Sequence, residues 1–156
     1  MDVTRLALLL LFLVSNVGVA DASPKTCTQS EPSKASRLYV VYDPKVWTWG
    51  TLYESFHQFG HCADASNKGI WNAELLTAYD EAIEYLLVHD WQHFADGASL
   101  ANSDKAFRNF ILSQIDADNM TATSLDKIRA SALRRCPGNA KALCTAIANT
   151  ISRLGE

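Results

Sequence analysis

The sequence Ile70–Phe94, IWNAELLTAYDEAIEYLLVHDWQHF, decides the fold. Its large apolar residues recur at intervals of three and four, which predicts one long amphipathic helix that stops before Gly97. The residues of this apolar face are Leu75, Leu76, Tyr79, Ile83, Leu86, Leu87 and Trp91. A helix with so broad an apolar face must bury it against other helices.

Segments on both sides of this helix have the same periodicity. Asp43 and Pro44 predict the start of a helix that Gly60 ends, and turn residues fill 62–69. Ser103, Thr123 and the Pro137-Gly138 pair are predicted to begin three further helices. The other predicted core residues are Val46, Trp49, Tyr53, Phe56, Phe107, Phe110, Ile111, Ile115, Leu125, Ile128, Ala132, Leu133, Leu143, Cys144, Ile147 and Ile151. The sequence therefore predicts an all-α fold, a compact bundle of about five amphipathic helices.

The N-terminus has the pattern of a secretory signal. One cation precedes the apolar run Leu6–Val14, and small residues follow it, so we expect a signal peptide at 1–22 that is cleaved after Ala22. The run is shorter than the roughly 20 residues that span a bilayer. Residues 23–42 are predicted to be an extended N-terminal segment, and 43–156 the helical domain. We expect a periplasmic or extracellular protein with no membrane span after signal removal.

The chain has four cysteines, Cys27, Cys62, Cys136 and Cys144. An even number in an exported chain, with no C-x-x-C spacing, favours two disulfides over a metal or redox site. Three pairings are open. A Cys136–Cys144 bridge closes a short loop, but a straight helix from Pro137 would separate the two Cα atoms beyond the roughly 7 Å that a disulfide spans.

Composition and motifs argue against several functions. The formal net charge is −3, so the chain lacks the excess of positive charge that binds nucleic acid. The sequence lacks G-x-S-x-G, S-x-x-K, a phosphate-binding glycine loop and a dinucleotide fingerprint. We therefore predict a non-enzymatic protein that needs no cofactor. The sequence does not decide its oligomeric state.

The four histidines form two pairs with one spacing, His57 with His61 and His89 with His93. Residues four apart share a helix face, and imidazole binds zinc, copper or nickel. His89 and His93, beside Asp90, are the metal candidates. Two histidines without a third protein ligand do not make a catalytic zinc site, so surface histidines are the preferred interpretation.

Acidic residues line the long helix at Glu74, Asp80, Glu81 and Glu84. Paired carboxylates hydrolyse glycosides, but this requires one of them to have a raised pKa. None of the four lies in a clearly apolar sequence context. We therefore predict an ordinary solvated surface.

Two tryptophans are candidates for a binding surface. Trp47 and Trp71 lie near predicted helix starts and off the apolar faces, so we expect exposed rings of the kind that are enriched at interaction hot spots. Asn119-Met120-Thr121 also matches the N-glycosylation pattern, in a predicted loop.

These observations favour a binding protein. We expect an exported protein whose partner is another exported or invading protein, for example a periplasmic inhibitor or immunity protein against a toxin or a cell-wall hydrolase. The alternative is a carrier of a small apolar ligand, which requires an enclosed apolar cavity between helices.

Overall fold

A computed structural model describes residues 43–60 and 70–155, with side chains from 43 to 60 and from 75 to 155. The predictions for 1–22, 23–42 and the loop 62–69 lie outside the described residues. In the described part the chain forms helices and connecting turns, with no strand, which confirms an all-α bundle. The α-helices are α1 (Trp49–Phe59), α2 (Ile70–His89), α3 (Phe94–Ser103), α4 (Lys105–Ser113), α5 (Ala122–Arg134) and α6 (Lys141–Arg153). Short 3₁₀ turns cover Pro44–Val46, Trp91–His93 and Gly138–Ala140.

The first helix begins later than predicted. Asp43 caps only the short turn that follows it, by accepting a hydrogen bond from the Lys45 amide. Thr48 caps α1, and its hydroxyl and that of Thr51 each accept the other residue's backbone N–H, as in a capping box. The turn changes the direction of the chain, and Val46 is 54% exposed rather than part of the core.

The predicted helix from Ile70 to Phe94 is two helices. At Asp90 the backbone leaves the helical region, with φ −112° and ψ 35°, and α2 ends at His89. The turn that follows places the Trp91 ring flat against Phe94, with ring centroids 4.2 Å apart. The Trp91 indole N–H donates to the carbonyl of Arg135 at 3.0 Å. The break therefore connects the central helix to the C-terminal hairpin.

Gly97 does not end a helix, as the sequence suggested, but lies buried inside α3. A Cβ at this position would lie 2.3 Å from Cδ2 of Trp49. The Trp49 ring occupies the space that a side chain would need, and its edge meets Phe94 at a centroid distance of 5.7 Å. Glycine is required here because it lets α1 and α3 pack closely.

Two helix starts are shifted from their predicted caps. Asp104, not Ser103, caps α4, and its carboxylate accepts the amides of Ala106 and Phe107. The Ser103 hydroxyl instead bonds back to Leu100 in α3. Thr121, rather than Thr123, caps α5. In both cases the capping residue lies within two positions of the predicted one, and the helix predicted to follow it is present.

The core joins all six described helices. Tyr79 of α2 is buried, and its hydroxyl donates to the carbonyl of Ser55 in α1 at 3.0 Å. The fully buried apolar side chains around it include Leu52, Ile83, Leu86, Leu87, Phe94, Phe107, Ile111, Ile128, Leu143 and Ile147. Most of the predicted core is buried or, at its edge, partly buried. The exposed exceptions are Val46 and Leu133, and the Leu133 side chain is 65% exposed.

We expect Gly97→Ala to lower the free energy of unfolding by about 1–3 kcal/mol, because the added methyl group overpacks against Trp49. In an exposed helix the same change would stabilise by about 1 kcal/mol through helix propensity. Gly138→Ala is the control, because a Cβ at Gly138 meets no atom within 4 Å. Urea denaturation measures both variants, and equal stability of the two would contradict the packing argument.

Candidate functional site

The C-terminal helices α5 and α6 form a hairpin that a disulfide closes at its turn. Cys136 and Cys144 are bonded, with Cα atoms 6.1 Å apart. The 3₁₀ turn Gly138–Ala140 shortens the path, so that α6 starts at Lys141 and Cys144 falls in its first turn. This resolves the geometric objection to the local pairing. Cys27 and Cys62 lie outside the described residues.

The residues 133–141, here called the stapled tip, are also bound to α3. Asn102 donates to the Asn139 carbonyl at 2.9 Å, and the Asn139 amide donates to the Ala95 carbonyl at 3.3 Å. With the Trp91–Arg135 hydrogen bond and the disulfide, these contacts hold the tip from both of its ends. The tip is therefore a rigid surface and not a free loop.

Several side chains of the stapled tip point to solvent, whereas Ala140 is buried. Leu133 was predicted in the core but is 65% exposed. Ile128 and Ala132 bury the inner face of α5, and one further residue turns the side chain by about 100° away from that face. Arg134, Arg135 and Lys141 are exposed as well. The tip thus presents three cations beside one large apolar side chain.

Positive charge extends along the whole hairpin. From Ala122 to Arg153 it carries six exposed cations and a single acid, Asp126. The cations are Lys127, Arg129, Arg134, Arg135, Lys141 and Arg153. Within the described residues, no carboxylate lies within 4.0 Å of any of these charged groups. The charge is therefore not neutralised by the parts of the chain that the structure describes.

The start of α6 is also electropositive. Its N-cap residue, Ala140, offers no side-chain hydrogen bond, and the first turn contains no acid. The free backbone N–H groups of a helix N-terminus carry partial positive charge, which a cation at that position opposes. Lys141 is the first residue of α6. Its position is unfavourable for the helix and adds to the positive field of the tip.

A second surface feature is a cleft beside the start of α1. Its volume is about 510 Å³ and it opens widely to solvent. It is lined by Thr48, Trp49, Gly50, Asp90, His93, Asp96, Ser99 and Leu100. A carrier of an apolar ligand requires an enclosed apolar cavity. This cleft is open and two carboxylates lie in its lining, so it lends no support to the carrier hypothesis, which stays a prediction.

The candidate metal ligands do not share a helix face. His89 is the last residue of α2, and its ring packs near that of Tyr85. His93 lies beyond the break in the helix, where its Nδ1 meets Oδ1 of Asp90 at 2.6 Å. The expected four-residue geometry is therefore wrong for this pair. No group of three potential ligands is arranged for a metal ion in the described part of the chain.

His57 contacts an acid rather than a second histidine. Its Nε2 lies 2.8 Å from Oδ2 of Asp104, whereas His61 is outside the described residues. The amides of Phe107 and Ala106 and the ring of His57 hold the pKa of Asp104 below its ordinary value, against the opposite effect of burial. This cluster fixes the start of α4.

The tryptophan predictions have different outcomes. Trp47 was expected to be exposed, but it is 4% exposed and packs edge-on against Tyr79 at 6.2 Å. The turn at Pro44–Val46 directs the ring inward, which is why the helical spacing misplaced it. The side chain of Trp71 is not among those described. Asn119 is exposed in the loop before α5, next to buried Met120.

Asp80 departs from the predicted solvated surface. It is partly buried on α2, and burial, followed by the nearby charges of Asp116 and Glu81, raises its pKa to about 6. The prediction that no carboxylate has a raised pKa is therefore wrong for Asp80. Glu81 is exposed and Glu84 half-buried. The sequence could not reveal this, because Asp116 is distant along the chain.

Comparison with family models, curated proteins and solved structures finds no match to this chain. Among the described residues, no helix is both long enough and apolar enough to cross a membrane.

We expect Asp80→Asn to raise the free energy of unfolding at pH 7 by about 1 kcal/mol. The gain is modest because solvent screens the repulsion between the partly exposed Asp80 carboxylate and its acidic neighbours. The raised pKa means that the folded state binds the proton more tightly than the unfolded state. Stability contributed by Asp80 is thus greatest near pH 4 and is lost as the pH rises through about 6. The gain of the variant should disappear near pH 4. Asp118→Asn, at an exposed acid, is the control, and an equal gain in both would contradict this account.

Replacing Cys136 and Cys144 together by serine should lower the free energy of unfolding by about 2–3 kcal/mol, since the bridge closes a short loop. Hydrogen exchange should accelerate at 134–141 more than in the centre of α2, because the staple acts locally. Unchanged exchange at the tip would contradict a restraining role. Urea denaturation and exchange mass spectrometry provide both measurements.

Proposed function

We propose that this chain is an exported, non-enzymatic protein that acts by binding another protein, with the stapled tip as the contact surface. The observation that carries the proposal is that the tip is exposed and held in one conformation at the same time. Exposed loops normally lose conformational entropy on binding. A surface that is fixed in advance by the Cys136–Cys144 bridge and by hydrogen bonds to α3 avoids much of that cost.

The residue types at the tip support this proposal. Arginine is enriched at the centres of protein interfaces, where its guanidinium group makes several hydrogen bonds and its stem packs on apolar surface. Arg134 and Arg135 are exposed next to Leu133. Single exposed apolar residues are common on protein surfaces. The combination with two arginines on a rigid turn is what favours an interface.

Two features support export. The apolar run Leu6–Val14 has the length and flanks of a signal peptide. The disulfide fits an oxidising compartment, since such bonds are rare in reducing ones. One form of this function is a periplasmic inhibitor or immunity protein that blocks a toxin or a cell-wall hydrolase by inserting the stapled tip at its site.

A photo-crosslinking amino acid at position 133 should test the proposal. In extracts of the host, we expect it to capture one protein species, identified by mass spectrometry. The same group at Glu54, an exposed position on α1, serves as the control and should not capture that species. Replacement of both tip cysteines by serine should reduce the yield, because the contact surface is then less ordered.

Two results would count against this function. The first is that the crosslinking group at position 133 captures no protein. The second is that it captures the same set of proteins as the group at position 54. In either case the tip is not a specific protein-binding surface, and its rigidity serves the stability of the hairpin alone.

A further inference from the structure

We infer that the stapled tip binds an acidic patch on its protein partner, with carboxylates meeting Arg134, Arg135 and Lys141 around Leu133. This inference rests on the proposed function and specifies the chemistry of the partner. Its basis is the segregation of charge within the chain. The net charge of the whole chain is −3, although the hairpin has six cations to one acid.

No acidic residue occurs in the sequence between Asp126 and Glu156. Among the described residues, three acids lie on α2, which packs against α5; they are Asp80, Glu81 and Glu84. The tip approaches another acid, because Asn139 bonds to Ala95, beside Asp96. Even so, Asp96 forms no ion pair with the described cations of the hairpin. The positive charge is therefore available to a partner.

Lys141 is the most informative residue, because the stability of the fold does not explain it. Arg134 and Arg135 follow the pattern of cations at the end of a helix, where they complement the dipole of α5. Lys141 has the opposite relation to α6, at an N-terminus that lacks a capping side chain and an acid. Aspartate or glutamate would stabilise α6 at this position. A cation there fits the recognition of an incoming carboxylate.

A protein partner fits the surface better than an extended polyanion or a membrane. Charges beyond about 8 Å are screened at physiological salt, so a compact acidic patch is sufficient to meet the tip. A long polyanion would also run past the acidic remainder of the chain and be repelled. Stable binding of a helix to a lipid surface combines cations with an exposed apolar face, whereas the apolar faces of α5 and α6 are buried at Ile128, Leu143 and Ile147.

Selection of displayed random 16-residue peptides on the oxidised protein tests this inference and does not require the partner itself. We expect the enriched peptides to carry net negative charge and at least one large apolar residue. Their affinity, measured by fluorescence anisotropy, should fall about tenfold or more between 0.05 and 0.5 M NaCl, because ion pairs at the rim are screened.

Lys141→Glu separates recognition from folding. It should raise the Tm by about 2–4 °C, because an acid suits the N-terminus of α6, and it should weaken binding of the enriched peptides about tenfold. Lys105→Glu is the matched control. Lys105 is exposed and is the first residue of α4, so the charge change and the helix position are the same, but binding should stay unchanged.

The outcomes are distinct. Enrichment of neutral or basic peptides, or equal binding by the native and Lys141→Glu proteins, would overturn the inference. Tighter binding to heparin or to phosphatidylglycerol vesicles than to the acidic peptides would assign the tip to a polyanion or a membrane, and would also overturn it. If position 133 crosslinks to one protein whose binding is indifferent to Lys141→Glu, the proposed function stands and only the acidic patch is wrong.

Discussion

The contact between Trp49 and Gly97 is the constraint on which the rest of the structure depends. It brings α1 against α3 at a distance that no side chain at position 97 would allow. The indole is held by packing, since its Nε1 has no hydrogen-bond partner among the described residues. Once α3 is fixed, Ala95 and Asn102 are in place to hold Asn139. The position of the stapled tip thus follows from a contact in the core.

Two charged residues do not serve stability. Lys141 opposes the dipole of its helix, and Asp80 is partly buried near two other acids. Proteins are only marginally stable, so unfavourable contacts of this size persist where something else maintains them. Both belong to regions where charge of one sign accumulates, positive on the hairpin and negative along α2. A partner whose charge complements one of these regions would relieve the repulsion there.

The apolar spacing predicted the class of fold because burial of one helix face is a local, repeated signal. The residues it misplaced were decided by contacts that are distant along the chain. Gly97 resembled a helix stop, since nothing near it indicates the ring of Trp49. Trp47 resembled a surface residue because a turn precedes it, and Leu133 resembled a core residue although the buried face of α5 ends at Ala132. The shape of the stapled tip could not be predicted, because it depends on the tertiary structure. Neither the pairing of Cys136 with Cys144 nor the hydrogen bonds between Asn139 and α3 leave a signal in the sequence.

The short span of the Cys136–Cys144 bridge has a consequence for where this protein can work. A bridge between residues eight apart restrains little of the unfolded chain compared with one that joins distant segments. Cys144 is buried at the end of the core, but its partner Cys136 is only partly buried, and the aromatic contacts of Trp49 and Phe94 do not involve the bridge. In a reducing compartment the bundle would therefore persist after its binding surface had lost its shape, so that the redox state of the surroundings limits activity before it limits folding.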